Sequence, residues 1–128
     1  MVKRKVKSCK FHIVWTPKYR KNFVKGLIKF WVEKSLNEEA TKLGIEIEEM
    51  EIMPDHVHLF VSIKPHDSVS NVVQKLKGFS SYTTRKHLNL TKKYKHLWGD
   101  GYFCESVGHI SESTVRKYIN EQWKHYKG

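Results

Sequence analysis

The sequence predicts an α+β domain in which helices pack on one face of an antiparallel β-sheet. Two patterns predict this class: several short runs alternate apolar and polar residues, which is typical of half-buried strands, and two longer segments repeat apolar residues at helical spacing. The length of 128 residues is sufficient for one core without disulfides or a structural metal. We therefore expect a single domain over residues 1–128.

The first part of the chain predicts a strand followed by a helix. Residues 8–16 alternate between an apolar and a more polar set, and Pro17 ends the run. Apolar residues then recur at helical spacing from Phe23 to Leu43. Gly44 follows at a position where glycine commonly ends a helix.

The next segment predicts a β-hairpin. Ile45, Ile47 and Ile52 indicate a second strand, Pro54-Asp55 a turn, and residues 56–63 a third strand rich in β-branched side chains.

A second helix is expected after Pro65. Asp67 or Ser68 can cap it, and its apolar positions run from Val69 to Phe79 and extend to Tyr82. A polar loop is expected over residues 86–95.

The C-terminal part predicts a turn, a strand and a helix. Residues 99–101 have turn chemistry, residues 102–107 form the last strand, and Ser111 caps a helix that reaches to about Tyr126. The order β-α-β-β-α-β with a further helix is the ferredoxin-like (RRM-like) arrangement. The second face of such a sheet is solvated, bound to a ligand or covered by another chain.

The charge of the chain points to a polyanionic partner. Lysine and arginine number 24 against 13 acidic residues, which gives a formal net charge of +11. Nucleic acid is the commonest such partner inside a cell. The longest uncharged stretch is only strand-sized, and no apolar region follows the basic N-terminus. We therefore expect a cytoplasmic protein that has neither a membrane span nor a signal peptide.

Two histidines on the third predicted strand form the most informative motif. Side chains two residues apart on a strand lie on the same face, about 7 Å apart, so His56 and His58 should project together on the exposed side while Val57 and Leu59 enter the core. Two neutral imidazoles on a rigid strand can bind a divalent metal. A pair of surface histidines without a ligand is the alternative.

Two families of metal enzymes that use His-x-His are excluded. The HxHxDH motif of metallo-β-lactamases would need aspartate and histidine where Phe60 and Val61 stand. A TIM-barrel amidohydrolase needs about 250 residues.

Among the six tyrosines, only Tyr118 is followed one helical turn later by a side chain that can bind a metal, that of Gln122. Simple packing of Tyr118 beside Ile119 and Trp123 is the alternative.

Three segments together identify a family. The sequences PDHVHLFV, WTPKYRK and YFCESVGHIS with VRKYINEQ resemble the single-tyrosine HUH transposases of the insertion-sequence 200/605 family, over nearly the whole chain. The resemblance implies an enzyme that cleaves and rejoins single-stranded DNA and recognises hairpins near the ends of its element. It also implies a homodimer in which the tyrosine helix of one subunit completes the site of the other.

The resemblance assigns roles to the motif residues. It implies that Tyr118 is the nucleophile and forms a 5'-phosphotyrosine, and that Gln122 joins His56 and His58 as the third metal ligand. Mixed nitrogen and oxygen ligands with open positions favour Mg²⁺ or Mn²⁺ as the cofactor.

The remaining candidates are less specific. Lys18 and Arg20, in the WTPKYRK segment, are the first candidates for contacts to DNA phosphates. No general base stands out, although His12, His66 and His109 are available.

Two other functions remain open at this point. A noncatalytic RRM-like module that binds single-stranded nucleic acid shares the fold and the basic surface, but residues 77–82 match the RNA-binding consensus poorly and read as helix. A small metal-dependent phosphoesterase is the second. Its activity would survive replacement of Tyr118 by phenylalanine.

Overall fold

A computed structural model of the chain describes residues 9–20, 22–106 and 116–122, and the side chain of Arg20 lies outside the described part. Four strands form one antiparallel sheet in the order β2-β3-β1-β4. The strands are β1 (Cys9–Trp15), β2 (Glu46–Met53), β3 (His56–Ile63) and β4 (Phe103–Ser106). The helices are α1 (Gly26–Leu43), α2 (Val69–His87) and a helical segment at residues 116–122, here called α3. This topology confirms the predicted ferredoxin-like α+β fold.

The core lies between the sheet and the two long helices. Alternate residues of β3 and of the second half of β1 are fully or almost fully buried there, as the period of two predicts. The central members of this layer are Ile13, Trp15, Val57, Leu59, Val61 and Ile63 from the strands and Val32, Leu36, Val73 and Leu76 from the helices. This face of the sheet is therefore wholly apolar along its two central strands.

Two of the predicted helix caps are confirmed. Gly44 adopts a left-handed conformation with φ of 70°, and its backbone N–H donates to the carbonyls of Ala40 and Thr41. The hydroxyl of Ser68 accepts a 3.2 Å hydrogen bond from the backbone N–H of Asn71 and so caps α2.

Two helix boundaries differ from the prediction. Helix α1 begins at Gly26 rather than Phe23, because Val24 is buried in a non-helical segment and its backbone N–H donates to the carbonyl of Pro54 over 3.3 Å. Helix α2 continues past Tyr82 to His87, so the loop expected at residues 86–95 begins only after His87.

A tertiary contact explains the extra turn of α2. Thr84 is fully buried, and Arg85 donates to the carbonyls of Ser81 and Tyr94 at 3.1 and 3.4 Å. The last turn of α2 is therefore held by the segment that follows it rather than by apolar periodicity.

The expected C-terminal helix is described only in part. Residues 116–122 are helical, as predicted, whereas Ser111 and Tyr126, its expected ends, lie outside the described residues. In the part of the chain that the structure describes, no helix is both long and apolar enough to cross a bilayer.

Candidate active site

The two histidines of β3 lie on the face of the sheet opposite the core. Val57 and Leu59, which alternate with them, are fully buried in the core, as predicted. His58 is half-buried, but His56 is only 5% exposed, so the expectation that both imidazoles are exposed is wrong for His56. Helix α3 packs on this face, where Ile119 is buried against Val14, and its Arg116 bonds to Asp55, which in turn contacts His56, so the end of the strand that carries His56 is covered.

A third histidine joins the motif from the neighbouring strand. His12 Nδ1 lies 3.2 Å from His58 Nε2, which is hydrogen-bond distance, and the His12 ring stacks on Phe60 at 4.7 Å between centroids. Sequence reasoning named His12 only as an available base and did not pair it with His58. His12 and His58 are 46 positions apart in sequence, and the antiparallel register of β1 and β3 brings their rings together.

The surroundings of His58 favour its neutral form. Burial lowers the pKa of His58 below its ordinary value of 6.5, and His12 lowers that pKa further, while Glu51 and Glu49 act in the opposite direction. A neutral imidazole is the form that binds a metal. The lowered pKa therefore favours the form of His58 that a metal ligand would need.

A groove runs beside His58 toward the edge strand. It has a volume of about 310 Å³ and is lined by Glu49, Met50, Glu51, His58 and Phe60. No group of three or more His, Cys, Asp or Glu side chains among the described residues is arranged to hold a metal ion. A metal held by the two strand histidines would need a third ligand of another kind, and an amide oxygen such as that of Gln122 fits this donor set.

Helix α3 carries Tyr118 and Gln122 on the side that faces the sheet. Ile119 is fully buried and packs on Val14, and Tyr118 and Gln122 are half-buried, whereas the other four residues of α3 are exposed. The Tyr118 ring lies 5.6 Å from that of Phe103 on β4. The sheet face that presents His56 and His58 is thus the face on which α3 packs.

A carboxylate connects α3 to the histidine strand. Arg116 Nη1 donates to Asp55 Oδ2 over 2.6 Å, and Asp55 Oδ1 lies 2.8 Å from His56 Nδ1. Burial alone would raise the pKa of Asp55, but the hydrogen bonds from Arg116 and His56 outweigh it and hold the pKa below 3.8. Sequence reasoning assigned Asp55 only to a turn, and the signal it passed over was an acidic residue directly beside a candidate metal ligand.

The basic segment after β1 leaves the sheet at the same end. Because β1 and β3 are antiparallel, the end of β1 lies beside His56, and Lys18 follows it. The Lys18 backbone N–H donates to the carbonyl of Leu97 over 3.0 Å, and its ammonium lies 5.6 Å from the ring of the exposed Tyr19. The side chain of Arg20 lies outside the described residues.

Comparison with known proteins identifies relatives of the whole domain. The family model described as "Transposase IS200 like" matches residues 5–122. The ISDra2 transposase TnpA of Deinococcus radiodurans is 30% identical over 91% of this chain and 86% of its own length. The transposase for insertion sequence element IS200 of Salmonella typhimurium is 32% identical over 90% of this chain and 77% of its own length.

Solved structures agree with the sequence relatives. A crystal structure of a transposase from Deinococcus radiodurans superposes with a TM-score of 0.82 at 28% identity, over 95% of this chain and 98% of that one. A REP-associated tyrosine transposase, solved bound to a REP hairpin, superposes with a TM-score of 0.63 at 11% identity, over 98% of this chain and 73% of that one. The second likeness concerns the fold alone.

Proposed function

The chain belongs to the IS200-like transposase family, and from that premise we propose that it cleaves and rejoins single-stranded DNA through a covalent bond between Tyr118 and a 5'-phosphate. Membership of this family implies DNA transposition, with cleavage and strand transfer. The proposal adds the type of DNA, the nucleophile and the metal ligands. The observation that carries it is the packing of α3, with Tyr118 and Gln122, on the histidine-bearing face of the sheet.

The proposed ligands are His56, His58 and Gln122. A bound Mg²⁺ or Mn²⁺ would supply positive charge beside a nonbridging oxygen of the scissile phosphate. The strand fixes the spacing of the two imidazoles, and the half-buried amide of Gln122 lies one turn after Tyr118 on the sheet-facing side of α3.

Tyr118 is the proposed nucleophile. Its phenolic oxygen forms a bond to phosphorus and gives up its proton, while the bond between phosphorus and the 3'-oxygen breaks. The 3'-oxygen takes up a proton, so one DNA end remains on the tyrosine as a 5'-phosphotyrosine and the other leaves with a free 3'-OH. Another 3'-OH can reverse the step and join two strands without ATP. A phenol has an ordinary pKa of about 10 and is mostly protonated at pH 7, so the reaction needs the charge stabilisation that the site provides.

The substrate is proposed to be single-stranded DNA that carries hairpins near the ends of the element. The net charge of +11 favours a polyanion, and Lys18 lies at the His56 end of the sheet, where DNA that reaches the site would pass. Arg20 is the second proposed phosphate contact.

A homodimer is proposed as the working form, in line with the resemblance to the single-tyrosine family. That resemblance implies that the tyrosine helix of one subunit completes the site of the other, whereas α3 here packs on the histidine face of its own chain. The proposal for this chain is therefore that Tyr118 serves the histidines of the same subunit within the dimer. The direct test of the homodimer is the molar mass in solution at micromolar concentration. A mass of one chain under conditions in which the protein cleaves DNA would contradict this part of the proposal.

The central test is an adduct assay. The wild-type protein and Tyr118→Phe are incubated with Mg²⁺ or Mn²⁺ and labelled single-stranded DNA that carries the element's own ends. The expected result is a protein–DNA adduct that survives denaturation in the wild type only. Binding without cleavage under either metal would favour a noncatalytic RRM-like module, and cleavage that persists in Tyr118→Phe would favour a phosphoesterase.

A further inference from the structure

An ionic contact joins α3 to the turn before β3, and it is made by a residue outside the proposed ligand set. Arg116 donates to one oxygen of Asp55 over 2.6 Å, and the other oxygen of the same carboxylate lies 2.8 Å from His56 Nδ1. The carboxylate is 16% exposed and the Arg116 side chain is 48% exposed, so water screens the guanidinium side of this pair and much less the side where Asp55 meets His56.

We propose that Asp55 and Arg116 are positioning residues that couple the helix of the nucleophile to the orientation of the metal ligand His56. The inference rests on the proposed function, because it concerns the same site. It adds two residues and a division of labour between them: Asp55 orients the imidazole, and Arg116 fixes where α3 lies.

The contact with Asp55 selects one tautomer of His56. When Nδ1 carries the proton and donates it to the carboxylate, Nε2 is left with a lone pair. Nε2 is then the only ring nitrogen that can bind a metal. Because the side chain of His56 is only 7% exposed, its ring cannot turn freely to exchange the two nitrogens.

The contact with Arg116 fixes the helix. The apolar contact between Ile119 and Val14 buries α3 but is not directional, so it tolerates small shifts of the helix along the sheet. A charged hydrogen bond of 2.6 Å is directional. Arg116 precedes Tyr118 by two residues, about 3 Å along the helix axis, so fixing one restricts the other. A displacement of about 1 Å at a reacting group can cost about 100-fold in rate.

The first experiment measures the metal-free protein and does not depend on activity. Long-range proton–nitrogen NMR spectra of the imidazoles report the tautomer of His56, and amide hydrogen exchange reports the opening of α3. We expect His56 to carry its proton on Nδ1 in the wild type and to lose this preference in Asp55→Ala. We expect the amides of α3 to exchange at least about 5-fold faster in Arg116→Ala and at the wild-type rate in Lys117→Ala, which removes an exposed cation next along the same helix.

A double-variant cycle tests whether the two residues act through each other. Asp55→Asn keeps an acceptor for His56 Nδ1 but removes the charge that attracts Arg116. The exchange rates of α3 in Asp55→Asn/Arg116→Ala should equal those of Arg116→Ala alone, because one interaction cannot be lost twice. Additive effects of the two changes would overturn the coupling, as would a wild-type His56 that carries its proton on Nε2.

The second experiment separates the two roles in catalysis. Asp55→Ala should raise the Mn²⁺ concentration for half-maximal adduct formation by about 10- to 100-fold. Arg116→Ala should lower the rate at saturating Mn²⁺ by about 10- to 100-fold and raise the Mn²⁺ concentration for half-maximal adduct formation less than Asp55→Ala does, because only one proposed ligand, Gln122, lies on α3. Arg116→Lys should restore part of the rate. Equal losses in Arg116→Ala and Lys117→Ala would overturn the role of Arg116.

The two experiments also distinguish this inference from the proposed function. If the wild type forms no adduct with any metal, the proposed function fails, while the tautomer and exchange results still decide whether Asp55 and Arg116 couple α3 to His56. Thermal melting of each variant shows that any loss arises in a folded protein.

Discussion

The two faces of the central strands differ in composition although they share one backbone. On the face covered by α1 and α2, the side chains of β3 are valine, leucine and isoleucine, and all are buried. On the opposite face the same strand presents His56, His58 and Phe60, and β1 adds His12. The alternation of strand side chains therefore lets one strand stabilise the fold with one set of residues and present a polar site with the other.

This difference predicts that stability and chemistry can be changed separately. A substitution on the covered face should act through the free energy of unfolding, whereas a substitution on the histidine face should act through DNA cleavage. Neighbouring residues of β3 provide matched pairs for this comparison, because their backbone positions are almost equivalent.

The largest effect is expected on the histidine face. His58→Ala removes a proposed metal ligand, and charge stabilisation worth several kcal/mol corresponds to a loss of roughly 1,000-fold in the rate of adduct formation. Thermal melting should change little, since His58 is only half-buried and its side chain contacts that of His12. Single-turnover cleavage with Mn²⁺ and a melting curve measure the two effects. A variant that loses hairpin binding and cleavage equally would show a folding defect instead.

The next effect is expected one residue further along the same strand. Leu59 is fully buried in the core, and Leu59→Ala should lower the free energy of unfolding by about 2–5 kcal/mol, because it removes apolar contacts and leaves a cavity. Urea unfolding measures the change. Adduct formation at low temperature, where the variant is still folded, should stay within a few-fold of the wild type. A loss as large as that of His58→Ala would mean that the two faces are not independent.

The sequence predicts which residues lie on each face of the sheet better than it predicts which elements pack against that face. Strand periodicity is local, so the placement of Val57 in the core and of His58 on the opposite face followed from the order of residues. The pairing of His12 with His58 depends on strand register between distant segments, which no local pattern determines. The burial of His56 depends on where α3 packs. The amphipathic pattern of a helix predicts which of its sides is buried, but it does not determine which face of the sheet that side packs against.

A smaller effect should test whether Lys18 contacts the DNA. Lys18 follows the end of β1 that lies beside His56, and its charge also acts on Lys77 of α2, whereas Lys75 is an exposed lysine of α2. Lys18→Ala should weaken binding of single-stranded DNA several-fold at about 0.1 M salt. It should also reduce the steepness of the salt dependence by about 0.7 in a plot of log affinity against log salt, as expected for one lost phosphate contact.

Lys75→Ala is the matched control, because it removes the same charge from the helix side and should leave the slope unchanged. Equal effects of the two changes would indicate that the DNA responds to net charge alone. Fluorescence anisotropy at several salt concentrations measures both slopes.

The smallest effect concerns Lys77, at the edge of the helix-covered side, because its pKa is strongly lowered. Burial lowers the pKa of Lys77 to about 8, although Asp100 acts to raise it, and the ammonium donates to the carbonyls of Gly99 and Gly101 at 2.8 and 2.7 Å. In the unfolded chain this lysine keeps its proton up to about pH 10.5. Between these values the unfolded state binds more protons, so this group makes the protein more stable as the pH rises through 8 toward 10.5. Because the side chain is only half-buried and water screens its charge, the gain in the free energy of unfolding should stay below about 1 kcal/mol between about pH 7 and 9.

Urea unfolding of the wild type and Lys77→Met across this range, with Lys75→Met as the control, measures this gain. The difference in stability between the wild type and the variant should rise with pH only for Lys77→Met. A flat difference would mean that the two carbonyl acceptors keep the ammonium charged and that even the edge of the covered side tolerates a full charge.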